Sequence, residues 1–542
     1  MDKFLNKTKK IIFTEQGGII SSTLILSAMI IISRIFGFLR YRILSGFFET
    51  GQLDIYFASF RIPDLVFEIL ITGALTSSFI PIFIKYQHNK KDLDTIVSSI
   101  INILSIFLFF FIGILFFAMD RLIPAITPGF NSEKVKIITE YSKILLVAQL
   151  PFLVFGNFLT GIAQANKTFL VTAIAPVLYN IMVIIITLLG VAKFHLFAPI
   201  LGVIIGSFIF FLVQIPVLGS FNLSYLLTIK ITTGVKEFFR IIVPRILTVL
   251  LTQIDTTIDL TLSTLLGTGS YTVFYFAQHL QLLPVSVVGI AFGQASLPYL
   301  TEMFEQKKIE ELKNIIVSSI LNLFFLTIPF MGFFIVARTP LVRMFFGGQK
   351  YDWSATVETA YTLSYFALSL PFHTIYYFLT RCFYAVLDSK TPFVMSLISI
   401  VINTVLSVIS ILLLHLPIWS LALSFSISMI INVTFLIILL SKKIPGLHIS
   451  YLIKSTIKII LSLSIAFPVT YFFIKLTDGL IFDTSRTINV FFLLVISSLL
   501  YFGLYIITAW FFEIKEIFLI TNLLLRAKEY KQKITSFYSL YE

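Results

Sequence analysis

Apolar runs long enough to cross a bilayer return about every 30–40 residues along almost the whole chain, and this confines it to very few folds. Lipid offers the backbone no hydrogen bonds. A chain that crosses it repeatedly must therefore close its own, within helices or a sealed barrel, and runs of about 20 apolar residues read as helices. Only 12% of the 542 residues are charged, 58% are hydrophobic and 59 are Phe, more apolar surface than a soluble domain can hide. The expected fold is an all-α polytopic membrane protein. About 14 transmembrane helices are expected, centred near Met29, Leu70, Leu108, Leu150, Met182, Phe208, Leu250, Val287, Phe325, Tyr376, Val401, Met429, Leu461 and Leu500.

Basic residues alternate between loops. Lys85 to Lys91, Lys167, Lys230 to Arg240, Lys307 to Lys313, Lys390, Lys442–Lys443 and the C-terminus fall on one side. The opposite loops are poorer in Lys and Arg, with Arg338, Arg343 and Lys350 the exception. The positive-inside rule then puts both termini in the cytoplasm, as an even span count requires, and accounts for a net charge of +13 without nucleic acid. The lysine-rich start (Lys3, Lys7, Lys9, Lys10) resembles a signal peptide. The apolar run continues past the usual length with no small-residue cleavage site, so a retained first helix is expected. Glu513 to Phe537 mixes apolar and basic residues and reads as an amphipathic surface helix. The single Cys382 excludes an intrachain disulfide and a cysteine-based zinc site. No P-loop, HExxH or GxSxG is present, so no enzyme and no ATP-driven pump is expected.

Two segment pairs match across the chain. DIYFASFRIP from Asp54 resembles VFYFAQHLQLLP from Val273, and NKTFLVTAIAPVLYN from Asn166 resembles SKTPFVMSLISIVIN from Ser389. Their offsets, 219 and 223 residues, agree closely enough to indicate one duplication. Each copy holds an even number of helices, so the halves share one orientation. Parallel repeats of this kind are an alternating-access transporter design with the substrate between them. The expected parts are a cytoplasmic segment 1–16, an N-lobe 17–220, a C-lobe 235–441, a final helix pair 450–512 and a cytoplasmic tail 513–542.

Charges inside these helices cost several kcal/mol and mark function. The stretch SRIFGFLRYR places Arg34 deep in the first span, with Arg40 and Arg42 near its outer end, against the positive-inside bias. Ser33 and Gly37, four apart, offer a small-residue packing strip. Arg61, Asp64 and Glu68 share a face of the second span, where Arg61 and Asp64 read first as an ion pair. Asp54, at the turn between the spans, suits a helix cap or a partner for Arg40 or Arg42. Arg245, Asp255 and Asp259 lie in the seventh span. The two acids, four apart beside Thr252 and Thr256, suit Na⁺ or H⁺. His279 and His373 read as hydrogen-bonded core residues, and Arg381 as a topological charge or a gate. Arginines dominating the first helix favour an anion, and the arginine fork suits phosphate, as in a lipid-linked phosphate headgroup.

SRIFGFLR, DIYFASFRIPDLVFEILITGALTSSFIPIF, AIAPVLYN, YFAQHLQLLPVSVVGIAFGQASLP and RCFYAVLDSKTP are similar, in order, to the MurJ/MviN lipid II flippase family of the MOP exporter superfamily. The resemblance implies two pseudo-symmetric six-helix lobes and a final helix pair forming a groove for a polyprenyl tail. It also implies transfer of undecaprenyl-pyrophosphoryl-disaccharide-pentapeptide (lipid II) from the inner to the outer leaflet for peptidoglycan synthesis. Arg34 and Arg40 match the family's first-helix arginines, and Asp54 its acid at the turn into the second helix. Tyr41, Phe67, Thr72 and His279 depart from the family pattern, His279 standing where an arginine is usual. Arg34, Arg40, Asp54, Arg61, Arg245 and His279 are the candidate substrate contacts, with Arg245 the candidate replacement for lost charge. The family's Na⁺ site implies Asp255 or Asp259 with Asn403 and Ser407 for ion coupling. No bound cofactor or metal is expected, only a Na⁺ or H⁺ gradient or the membrane potential. Expected partners are lipid II, membrane lipids and cell-wall synthesis enzymes. The alternatives are a flippase for another polyprenyl-pyrophosphate glycan, a MATE-like multidrug exporter, whose cavity should be dominated by acids, and a non-transporting scaffold.

Overall fold

The computed structural model describes residues 19–74, 79–166, 168–220, 223–484 and 486–518. Among these residues the backbone is helical almost throughout, and β pairing is confined to a bridge between Asp478 and Phe482. The helices are α1 (Ile19–Phe47), α2 (Thr50–Ser59), α3 (Arg61–Ala74), α4 (Ile80–Tyr86), α5 (Lys90–Ile126), α6 (Ser132–Ala148) and α7 (Leu150–Ala165). They continue as α8 (Phe169–Phe194), α9 (Phe197–Leu212), α10 (Pro216–Ser220), α11 (Thr233–Thr264), α12 (Ser270–Pro284), α13 (Ala291–Glu305) and α14 (Ile309–Val336). The last are α15 (Arg338–Phe346), α16 (Trp353–Ala385), α17 (Lys390–Val408), α18 (Trp419–Lys443), α19 (Ile449–Leu461), α20 (Leu463–Thr477) and α21 (Thr487–Phe511).

Ten helical stretches among the described residues are long and apolar enough to cross a membrane, α5, α8, α14 and α21 among them. The other four expected spans fall on α1, α2–α4, α11 and α16. These are helices as well, but they carry Arg34, Arg61, Asp255 and Arg381 among other polar groups and are not among the ten. The expected N-terminal segment and most of the expected amphipathic tail, Glu513 to Phe537, lie outside the described residues.

Contacts divide the chain into two units. The first runs to Thr272 and takes in Phe345–Ala355, and the second holds Val273–Met344 and the remainder. By this measure α11 groups with the first unit. Within that unit, small residues let helices close. A Cβ on Gly202 would lie 3.0 Å from the Val183 Cα, and one on Gly206 2.9 Å from the Tyr179 carbonyl. This four-residue spacing presses α9 onto α8, as membrane helices do when packing must replace the hydrophobic effect. Side-chain caps start several helices: Asn89 accepts from the Asp92 amide, Asn131 from Lys134 and Thr232 from Val235.

The second unit repeats the device. Added Cβ atoms on Gly289 and Gly293 would lie 2.9 Å from backbone of Thr374 and Tyr377 on α16. Gly332 of α14 faces the Tyr501 hydroxyl of α21, and the Tyr505 hydroxyl donates to the Phe325 carbonyl at 2.9 Å. The last helix pair is thereby tied to α14.

At the loop between α16 and α17, Asp388 accepts from the Lys390 and Thr391 amides (3.1 and 3.0 Å), the Thr391 hydroxyl (2.6 Å) and Lys443 Nζ (2.6 Å). Partial burial opposes its charge, but the bonds from Lys443 and Thr391 outweigh it and bring the carboxyl down to about 2. A depressed carboxyl stabilises the fold above its unfolded pKa, and that contribution is lost as pH falls through the folded value. Asp388→Asn should therefore lower the thermal midpoint in detergent at pH 7. The gap to wild type should close as pH falls from 3.8 to about 2. A gap independent of pH would show that the carboxylate charge is not what stabilises this loop.

Candidate functional site

Arg34 and Arg40 of α1 meet different environments. Arg34 is exposed. Beside it the Ser33 carbonyl accepts from Asn180 Nδ2 at 3.5 Å, fastening α1 to α8. Gly37 has open space where a Cβ would project, so the expected Ser33–Gly37 strip is not a close helix contact. Arg40 is half-buried. Its guanidinium lies 4.8 Å from the Tyr41 ring centre and 5.9 Å from that of Tyr179, and it is hydrogen-bonded to the Tyr179 side chain. It also lies close enough to Asp64 and Tyr56 to interact electrostatically. Aromatic faces hold a desolvated guanidinium without neutralising it. Tyr41 in turn packs against Phe57 (5.8 Å) and Phe346 (6.3 Å), so the position that departs from the family pattern is a buried aromatic joint.

Arg61 does not reserve its donors for Asp64. Nε and Nη2 bond the Thr257 hydroxyl at 3.0 and 2.6 Å, and Nη2 also bonds the Gln253 carbonyl (2.6 Å) and side-chain oxygen (3.0 Å). Both partners are on α11, nearly 200 residues away. Arg61 therefore ties α3 to α11, with Asp64 as an electrostatic neighbour only. A hydrogen bond to a charged group is worth about 1.5–3 kcal/mol, which makes this a strong clamp.

Asp54 is fully buried. It accepts from the Gly269 amide (2.6 Å), the Thr272 amide (2.9 Å) and the Thr272 hydroxyl (2.7 Å). Those amides open α12, so Asp54 caps that helix from another segment and meets the positive end of its dipole. Gly269 reaches this geometry at φ +94°, open to glycine, and a side chain there would also strike Thr50. The Thr50 carbonyl lies 3.1 Å from the same Thr272 hydroxyl and shares its single proton with Asp54. The sequence alternatives of capping its own helix or pairing with Arg40 or Arg42 give way to this cap. Around it, Gly129 sits against the Thr264 carbonyl, Gly348 against Ser45, and Phe345 against Phe38 (4.6 Å).

The remaining candidates fall in both units. Asp255 is half-buried and Asp259 buried on α11, in the first unit, whereas Asn403 and Ser407 belong to the second. Ser399, Asn403 and Ser407 form a buried stripe on α17, and Ser420, Ser424, Ser428 and Asn432 one on α18. The Ser399 hydroxyl donates to the Ser428 carbonyl at 3.2 Å. That antiparallel register places Asn403 level with Ser424 and Ser407 level with Ser420, a seam of small polar residues between two membrane helices. No group of three His, Cys, Asp or Glu side chains among the described residues is placed to hold a metal. His279 bonds its own helix through the Tyr275 carbonyl at 2.9 Å and stacks on the Tyr275 ring at 3.9 Å. His373 is buried against Gln281 and Tyr377, the core role expected of it. The Arg245 side chain lies outside the described set. Sequence reasoning did not single out Tyr179, Gln253, Thr257 or Thr272, ordinary residue types made significant by what they touch.

With this geometry in place, the chain can be compared with known proteins. Residues 43–496 match the family model described as lipid II flippase MurJ. A probable lipid II flippase MurJ of Rickettsia prowazekii is 27% identical over 399 residues, covering 71% of this chain and 76% of that protein. One from Bdellovibrio bacteriovorus is 26% identical over 454 residues, covering 82% and 86%. A solved structure of lipid II flippase MurJ in an inward closed conformation superposes with a TM-score of 0.74 at 25% identity, over 90% of this chain and 99% of that one. An inward-facing multidrug MATE transporter of the MOP superfamily shares the fold, with a TM-score of 0.67 at 16% identity. A polytopic helical chain whose residues match the family model from the end of α1 into α21 belongs to the lipid II flippase MurJ family.

Proposed function

We propose that this protein moves lipid II from the inner to the outer leaflet of the cytoplasmic membrane by alternating access. Both termini lie in the cytoplasm, and α1, α2–α4, α11 and α16 complete fourteen spans. The observation that carries the reading is the family match over residues 43–496, joined to likeness with a lipid II flippase along 90% of the chain. Arg34 is exposed and Arg40 lies against aromatic rings, an arrangement that supports pyrophosphate binding by both. The polyprenyl tail lies along the outward apolar side chains of the last helix pair, such as Phe472, Leu476 and Leu499. An ion gradient or the membrane potential drives the cycle, with Asp255, Asp259, Asn403 and Ser407 the polar groups available for coupling.

In this reading the Asp54 cap breaks and re-forms during the transport cycle. Three such bonds are worth a few kcal/mol net, at about 1 kcal/mol each, within what differential binding of a cargo can offset.

The test is lipid II exposure on the outer face of cells depleted of their own flippase, reported by an external lipid II-degrading toxin. Wild type should restore exposure. Arg34→Ala and Arg40→Ala, at equal membrane levels, should lose it roughly tenfold or more, since a charge-assisted hydrogen bond is worth about 1.5–3 kcal/mol. Failure of inserted wild type would redirect the proposal to another polyprenyl-pyrophosphate glycan. Equal activity of the variants would remove the arginines from the cargo site.

The breaking of this cap has its own test. A Cβ on Gly51 would lie 4.0 Å from the Thr268 Cβ, within disulfide range. Gly51→Cys with Thr268→Cys, in a Cys382→Ser background, should cross-link on oxidation, abolish lipid II exposure and regain it with reductant. Full activity of the cross-linked protein would sink the opening step.

A further inference from the structure

The segment 223–232, between α10 and α11, forms neither helix nor strand, yet it is held closely to α5. Asp94 accepts from the Ser224 amide (3.2 Å), Ser98 from the Leu226 amide (2.9 Å) and Ser99 from the Lys230 amide (3.1 Å). Asn102 donates to the Leu226 and Thr228 carbonyls at 3.0 and 2.9 Å and accepts from the Tyr225 hydroxyl. One polar face of α5 thus reads the backbone of the strap and turns its side chains outward. They are apolar: Leu227 is 92% exposed, Ile231 68% and Ile229 56%.

The location of the strap explains this otherwise costly exposure. With 37 residues, α5 is about 55 Å long, against a hydrocarbon core of about 30 Å. Its outward apolar belt begins at Ile106 and Phe107 and continues through Phe109, Phe110, Ile114 and Phe117. Asn102 lies one turn before that belt, on the lysine-rich side, so the strap crosses α5 where hydrocarbon gives way to headgroups. Exposed cations lie in the strap and at the adjoining starts of α5 and α11: Lys230, Lys236, Lys90 and Lys91, with Lys85 paired to Glu237 at 2.8 Å and Asp92 an exposed acid beside Lys91. Apolar side chains beside a basic collar are the composition of an interfacial membrane anchor.

We propose that residues 225–231 are an interfacial foot that inserts Leu227, Ile229 and Ile231 into the bilayer leaflet on the lysine-rich side, with Lys230 at anionic headgroups. The foot joins the first sequence repeat to the second, and it pins the chain between them to the membrane surface. This inference does not depend on the cargo.

The experiment places a nitroxide at Leu227→Cys in the full chain carrying Cys382→Ser, reconstituted in vesicles of zwitterionic and anionic phospholipid. Gln87→Cys, in the exposed turn after α4, is the aqueous reference. Collision with oxygen and with a water-soluble nickel chelate reads the depth. The Leu227 label should meet oxygen readily and the nickel complex several-fold less than the Gln87 label, at a depth of about 5–10 Å. Equal nickel accessibility at the two sites overturns the foot. If Leu227→Cys assembles poorly, Ile231→Cys carries the same test with the same two outcomes.

Discussion

A carboxylate withdrawn from water must find donors, and Asp54 finds three in a single turn of one helix. Much of the first unit is arranged around that requirement. Gly269 has to adopt a left-handed conformation to present its amide, Thr272 has to stand at the third position of the helix, and Thr50 has to stay small enough to be met by Gly269. Neighbouring glycines at 129 and 348 allow two more segments to close over the same end. DIYFASFRIP resembles VFYFAQHLQLLP, and the acid that opens the first segment caps Gly269 and Thr272, just before the second.

The arginines show why charge in a membrane helix has to be read residue by residue. Arg61 spends its donors on Gln253 and Thr257, a use that fixes helices and leaves little for a cargo. Arg40 meets aromatic faces and the Tyr179 side chain. Arg34 is exposed. The three form a gradient from clamp to exposed charge.

The helical fold was legible because it follows from chain-wide patterning. Apolar run length sums over many residues, so single substitutions hardly blur it. The geometry of the candidate site was legible in part. Arg34 and Arg40 stand out because a membrane makes arginine conspicuous, and Asp54 because an acid at a turn suggests a cap. Which helix it caps is a tertiary fact across 215 residues that no local pattern encodes. The same holds for Arg61, whose near neighbour Asp64 is the obvious partner by spacing and loses to α11. Asn403 and Ser407 look like oxygen ligands in isolation. Beside Ser420, Ser424 and Ser428 they look like one wall of a polar seam, visible only once the register of α17 and α18 is known.

The strap on α5 carries the argument one step further. Asp94, Ser98, Ser99 and Asn102 occupy one face of a helix and would read, from spacing alone, as an ordinary solvated face. Their side chains instead replace the hydrogen bonds that a segment without helix or strand would otherwise lack near lipid, where each unmet backbone group costs several kcal/mol. With its backbone satisfied from one side, the segment is able to leave Leu227, Ile229 and Ile231 facing outward. A linker between two repeats that only needed slack would be polar and unbound. This one is apolar outward and bonded inward, which is what a chain requires if the membrane surface is to be its second support.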